Sequence, residues 1–152
     1  MKVRLASFEE DRDQILAGVA DFVRRMDYTE FLDEDISVLE ASLRTLATAN
    51  LVDVVVAEHE GEIVAGIGIA YIPFIWNPNV LQADELFWWA DGSMVTAPIR
   101  VLRMAIDLGK ERAGDRKMIA TFRRLSSSPE GVTTIYRKLG LREVESVYAG
   151  VL

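Results

Sequence analysis

The side chains here whose types and placement single them out for chemistry are a carboxylate, a phenol and several guanidiniums. There is no cysteine, which removes thiol nucleophiles, disulfides and cysteine-ligated zinc together. The single histidine, His59, excludes a His-rich metal site and falls at a hairpin tip, where solvation is its ordinary state. Ser126, Ser127 and Ser128 have no His/Asp relay and read as a helix cap. The 24 Asp and Glu show no metal-ligand spacing. A tyrosine such as Tyr136 is protonated at neutral pH yet acidic enough to donate, and a half-buried glutamate such as Glu85 can take a proton from an ammonium group. Each has a structural alternative: Tyr136 as packing at a helix end, Glu85 as an exposed strand-end carboxylate. Arg123-Arg124 is a basic pair at a strand end, suited to phosphate or simply solvated.

The chain that must position these groups has 152 residues, half of them hydrophobic, enough for one domain over 1–152 with a real core. No apolar run approaches the roughly 20 residues of a membrane helix. The acidic N-terminus is unlike a secretory signal, so a soluble cytoplasmic protein is expected. The net charge of -7 is unevenly placed: residues 1–96 balance at -12 and residues 97–152 at +5. Nonspecific nucleic-acid binding fits that poorly. The split suggests an anion handled by the C-terminal part and a cation near the N-terminal part, or two solvated faces.

Hydrophobic period divides the chain into β-α-α-β-β-β-α-β-α-β. Lys2–Ala6 alternates as a strand. Ser7 is placed to cap a helix with Glu9, Glu10 and Asp11 in its first turn, and Ile15, Leu16, Val19, Phe22 and Val23 form its stripe. A second helix is expected from Asp35 to Ala49, ended by Asn50. Val52–Glu58 and Glu62–Ile72 form a hairpin around His59-Glu60-Gly61. Gly66 and Gly68 mark close backbone approach or a bulge. Pro73–Asn79 reads as a loop carrying Trp76, whose alternatives are loop packing and a binding surface. Gln82–Ala90 is a third strand, whose alternation groups Glu85 with Phe87 and Trp89. Pro98 opens a helix to about Arg112, and Lys117–Phe122 is a strand. A last helix, opened either by Ser128 as cap with Pro129 at the first position or by Ser127 in a capping box with Glu130, ends at Gly140. Leu141–Leu152 is strand-like. The result is an α/β (α+β) mixed sheet with helices on both faces.

This order resembles the GNAT superfamily, the general-control-related N-acetyltransferases. Val54–Gly66 looks like the family's central hairpin, and Ile135-Tyr136-Arg137-Lys138-Leu139-Gly140-Leu141 like its LY-x-K-x-GF signature. Glu85-Leu86-Phe87-Trp88-Trp89 is similar to the fourth strand of phage-encoded GNAT-like proteins. The resemblance implies acetyl-CoA as co-substrate, Tyr136 as the acid that protonates the departing thiolate, and Glu85 as the base. It also implies that backbone groups of Trp88, Trp89 and Ala90 pair with the pantetheine arm. The family's Gly-rich pyrophosphate loop would span Gly92 to Pro98, but its glycine positions fall on Met94, Thr96 and Pro98, and its Arg/Gln position on Ser93. Gly92, Ser93, Thr96, Arg100 and Arg103 are the residues left to hold the phosphates, with Arg124 a further source of charge.

Two functions follow from the resemblance. One is an N-acetyltransferase with a degenerate pyrophosphate loop, acting by direct transfer on an amine in a small molecule, peptide or protein. The other is a GNAT-like binding or structural protein without catalysis, such as a virion component or a host-directed inhibitor, working with a protein partner in a larger particle. Strand pairing at an open final edge would make a homodimer.

Overall fold

The structure is a computed structural model and describes residues 1–25, 36–92, 94–124 and 130–144. Among these, the order is β1 (Lys2–Leu5), α1 (Arg12–Arg25), α2 (Ile36–Thr48), β2 (Val52–His59), β3 (Glu62–Phe74), β4 (Asn77–Ala90), α3 (Ala97–Ala113), β5 (Lys117–Thr121) and α4 (Gly131–Lys138). The strands lie in sequence order in one sheet. The first three pairings are antiparallel, and β4–β5, joined through α3, is parallel. The expected mixed sheet with helices on both faces is the one observed.

Each face has its own core. On one face α1 and α2 pack Ile15, Leu16, Val19, Phe22 and Leu43 against Phe87 and Trp89. On the other, α3 and α4 cover Val55, Ile67, Ile69, Leu81 and Ala83. Ile67 and Ile69 are at most 1% exposed, and burying each is worth about 2 kcal/mol. The glycines expected to allow close approach do so. Trp89 lies between α1 and β3, where a Cβ on Gly18 would stand 2.1 Å from its Cε2 and one on Gly66 2.1 Å from its Cη2. Only bare backbone fits on either side of that indole.

Several expectations need correction. The α1 helix starts later than Ser7 predicted. Ser7 caps the turn ahead of it, its hydroxyl accepting from the Glu10 N–H at 3.4 Å and its carbonyl from the Asp11 N–H at 2.8 Å. Asp11 leads into the helix, its carbonyl accepting from Ile15 at 2.9 Å and its carboxylate from the Ser7 backbone N–H at 2.8 Å. Pro73–Asn79 is not a loop, and the third strand starts at Asn77 rather than Gln82. The strands run on to a tight turn at Ile75-Trp76. The prolines are tolerated because each lies where its strand has lost one neighbour: β2 pairing ends at Ala70 and β5 pairing at Val80. Trp76 at this tip is 82% exposed, so it is not packed into its turn. Leu141–Val144 are not in a strand. The rest of that expected strand (145–152), the start of the last helix at Ser128-Pro129, the first residue expected in α2 (Asp35) and Ser93 lie outside the described residues.

The remaining boundaries agree with expectation. Asn50 (φ 56°) ends α2, Glu60 (φ 54°) and Gly61 (φ 89°) make the hairpin turn, Pro98 lies in the first turn of α3, and Gly140 (φ 81°) follows α4.

Candidate active site

β4 and β5 run together from Val80/Lys117 to Asp84/Thr121 and then part. β5 ends there, while β4 continues to Ala90 with only β3 beside it. From Glu85 onward, the edge that β5 had covered carries no strand among the described residues. A carboxylate, a phenol and a guanidinium meet at this fork.

A bulge separates the carboxylate from the rings that follow it. Ile69 pairs with Glu85 and Gly68 with Phe87, so Leu86 is the extra residue. The bulge shifts the alternation by one and corrects the sequence expectation. Glu85 does not share a face with Phe87 and Trp89, which turn toward α1 and α2, but points with Trp88 toward α4.

Glu85 is 2% exposed. Burial pushes its carboxyl up to about 7. The Arg123 backbone N–H (3.3 Å to Oε2), the Arg123 charge and the Tyr136 hydroxyl (3.5 Å) pull the other way, while the neighbouring charge of Asp84 adds to the rise. The group therefore changes charge near neutrality. Tyr136 donates to the Arg123 carbonyl at 2.9 Å and stacks on Phe122, ring centroids 5.7 Å apart. Its hydroxyl is pushed well above the usual phenol range, by burial first and then by the charge of Glu85, and so keeps its proton at neutral pH. Trp88 lies against the same ring at 6.1 Å. Its indole N–H is buried and has no hydrogen-bond partner among the described residues.

The structure thus brings Glu85, Tyr136 and Trp88 together and leaves the other candidates apart. Trp89 gives its indole to the opposite core, so only its backbone remains near the fork. Ala90 is partly buried at the end of β4. Gly92 (φ 83°) has open space around it. Thr96 stands at the N-terminus of α3 without a side-chain capping bond, and the Ala97 N–H beside it is already taken by the Met94 carbonyl at 3.1 Å. Pro98 donates nothing there, and Met94 packs against the core. Arg100 and Arg103 line a hollow of about 390 Å³ with Val3, Met104 and Asp107, toward β1 at the far edge of the sheet. Arg124 is exposed beyond β5.

Sequence reasoning missed Asp84 and Thr121 and left Arg123 as a basic pair at a strand end. Asp84 Oδ1 accepts from Thr121 Oγ1 at 2.5 Å and its Oδ2 from Arg123 Nη2 at 2.9 Å. One signal was available: between Ile63 and Ala90 the only charged residues are Asp84 and Glu85. Among the described residues no group of three or more His, Asp or Glu forms a metal-binding set, and no helix is long and apolar enough to cross a membrane.

No protein-family model matches the sequence, and no curated protein is significantly similar to it. Solved structures do match. An aminoglycoside 6'-N-acetyltransferase from Acinetobacter haemolyticus is 12% identical over 100% of this chain and 98% of its own, with a TM-score of 0.72. A ribosomal-protein-alanine N-acetyltransferase from Brucella melitensis is 20% identical over 92% and 83%, at 0.68. A predicted acetyltransferase from Clostridium acetobutylicum, solved with acetyl-CoA, is 15% identical over 99% and 95%, at 0.67. At such identities the likeness shows the fold: a mixed five-stranded sheet with four helices among the described residues, the α/β architecture of the GNAT acetyltransferases.

Proposed function

We propose that this chain is an acetyl-CoA-dependent N-acetyltransferase that moves an acetyl group directly to an amine. The observation that supports the reading most is Glu85: a buried carboxyl that changes charge near pH 7, set where β4 and β5 part and beside a protonated phenol. An ammonium substrate must lose a proton before its nitrogen can attack, and a base titrating near neutrality is suited to take it. The excess of acid in residues 1–96 favours such a cation.

The open edge of β4 suits the extended arm of the co-substrate, with the backbone of Trp88 to Ala90 as its rail. The unpartnered indole N–H of Trp88 is a donor in the same wall. The α3 N-terminus at Thr96, with Gly92 and Ser93 shortly before it in sequence, would take the phosphates, and Arg100 and Arg103 on the same helix would add charge at longer range. When bound, acetyl-CoA supplies a thioester whose carbonyl carbon accepts the amine. Glu85 receives the proton of the amine, and Tyr136 holds at its hydroxyl the proton that the departing sulfur needs.

A second reading keeps the fold without the chemistry. It is favoured by the loop itself, where Pro98 lacks an N–H and the Met94 side chain packs into the core. Calorimetric titration with acetyl-CoA decides between the two. Micromolar binding that weakens on Arg100→Glu supports the transferase. A folded protein that shows no heat at millimolar acetyl-CoA overturns it.

A further inference from the structure

Arg123 makes four separate contacts at the fork, two through its backbone and two through its side chain. Its N–H donates to Glu85 Oε2 at 3.3 Å, and its carbonyl accepts from the Tyr136 hydroxyl at 2.9 Å. Its guanidinium spans back to β4, with Nη1 donating to the Glu85 carbonyl and Nη2 to Asp84 Oδ2 at 2.9 Å. Asp84 is in turn anchored to β5 by Thr121. The residue lies two positions past the last one of β5, where no ladder fixes the backbone. Without the guanidinium, the only one of these contacts left between that stretch of chain and β4 beyond Thr121 is the long bond from the Arg123 N–H to the Glu85 carboxyl itself. Yet this stretch carries the N–H that meets the base and the carbonyl that meets the phenol.

We infer that Arg123 is the positioning residue of the fork: its side chain locks the segment after β5 to β4, so that its own backbone holds Glu85 and Tyr136 in one fixed relation. The catalytic part of this inference rests on the proposed transferase, but the positional part does not. The guanidinium touches neither reacting group's side chain through a hydrogen bond; it acts through the peptide units on either side of its own Cα. Planarity and two donor arms are what the task needs, because one arm reaches a backbone carbonyl and the other a carboxylate. A lysine supplies the charge but only one point of attachment.

The ionisable groups that bear on Glu85 are Arg123 from the segment after β5, Tyr136 from α4 and Asp84 from β4 itself. The test is therefore a titration of the Glu85 carboxyl carbon by NMR in glutamate-labelled protein, assigned through the spectrum of Glu85→Gln and run beside acetyl-transfer kinetics. In Arg123→Gln the Glu85 midpoint should move up by about one unit, since an opposite charge and an ordered N–H donor are both lost. The kcat should fall about tenfold or more while KM for acetyl-CoA stays within about twofold. Arg123→Lys should restore only part of the midpoint, the part due to charge, and should not restore kcat. An unchanged Glu85 midpoint in folded Arg123→Gln, or an Arg123→Lys enzyme equal to the parent in kcat, overturns the inference. A parent protein that transfers no acetyl group sinks the proposed function and leaves the carboxyl titration to decide the role of Arg123.

Discussion

Two arginine–aspartate clips tie the sheet to its surroundings, and they are built from nearly the same parts. At one end of the sheet Arg112 of α3 grips Asp53 of β2 through both nitrogens, at 2.6 and 2.8 Å, bonds Asn50 Oδ1 at 3.0 Å and lies over the Tyr71 ring at 4.6 Å. At the fork Arg123 meets Asp84 with one nitrogen, and the nearby phenol is Tyr136. The difference is one extra carboxyl. The bidentate clip at Arg112 leaves no acid over, while the fork keeps Glu85, buried, in contact with a backbone N–H and a phenol but with no guanidinium on its side chain. A matched pair makes a tie; a surplus buried acid makes a group whose charge is poised to change.

The largest expected break in that comparison is Glu85→Gln. It should lower kcat/KM for acetyl transfer by about a thousandfold and abolish the rise of rate with pH centred near 7, measured as a pH profile. The same variant should alter stability with a definite sign. Glu85 is raised in the folded state from its ordinary value of 4.5 to about 7, so its protonated form favours folding below about 4.5. That contribution is lost as pH rises through 7, at a cost of up to about 3 kcal/mol. Glu85→Gln should therefore be more stable than the parent at pH 8 in a denaturant titration and equal to it near pH 4.

Asp53→Ala tests the matched clip. It strands Arg112 and should cost about 2 kcal/mol of unfolding free energy while leaving acetyl-CoA affinity within twofold in calorimetry. An equal loss of affinity would show that the two ends of the sheet are coupled. The smallest effect is expected from Tyr136→Phe, which should lower kcat about tenfold with coenzyme affinity unchanged. It should also nudge the Glu85 midpoint upward, because a donor to its carboxylate is gone. An unaltered turnover would remove the phenol from the mechanism.

Much of this was legible in the residues. Hydrophobic period located the helices, with Asn50 and Pro98 marking an end and a start, and the His59-Glu60-Gly61 turn and the small residues at 66 and 68 announced a tight hairpin and close backbone approach. What failed did so for local physical reasons. Prolines at 73 and 78 punctuate a chain in general, but here they fall beyond the reach of the flanking strands, where no ladder bond is missed. The bulge at Leu86 has no signature in its own sequence. It arises from how Gly68 and Ile69 pair across the strand, and it turns Phe87 and Trp89 away from the face that Glu85 shares with Leu81 and Ala83. Tyr136 and Glu85 were singled out by chemistry and resemblance, but their contact depends on the path of the chain after Thr121, which no pattern encodes.

The placement of Trp89 sets a tolerance for the reaction. Its indole is gripped by a helix on one side and a strand on the other with no slack at either jaw, and the next peptide carries Trp88 into the fork. A methyl group added at either jaw forces the indole or one of its jaws to shift, so mechanical precision at the front of the sheet is machined at the back.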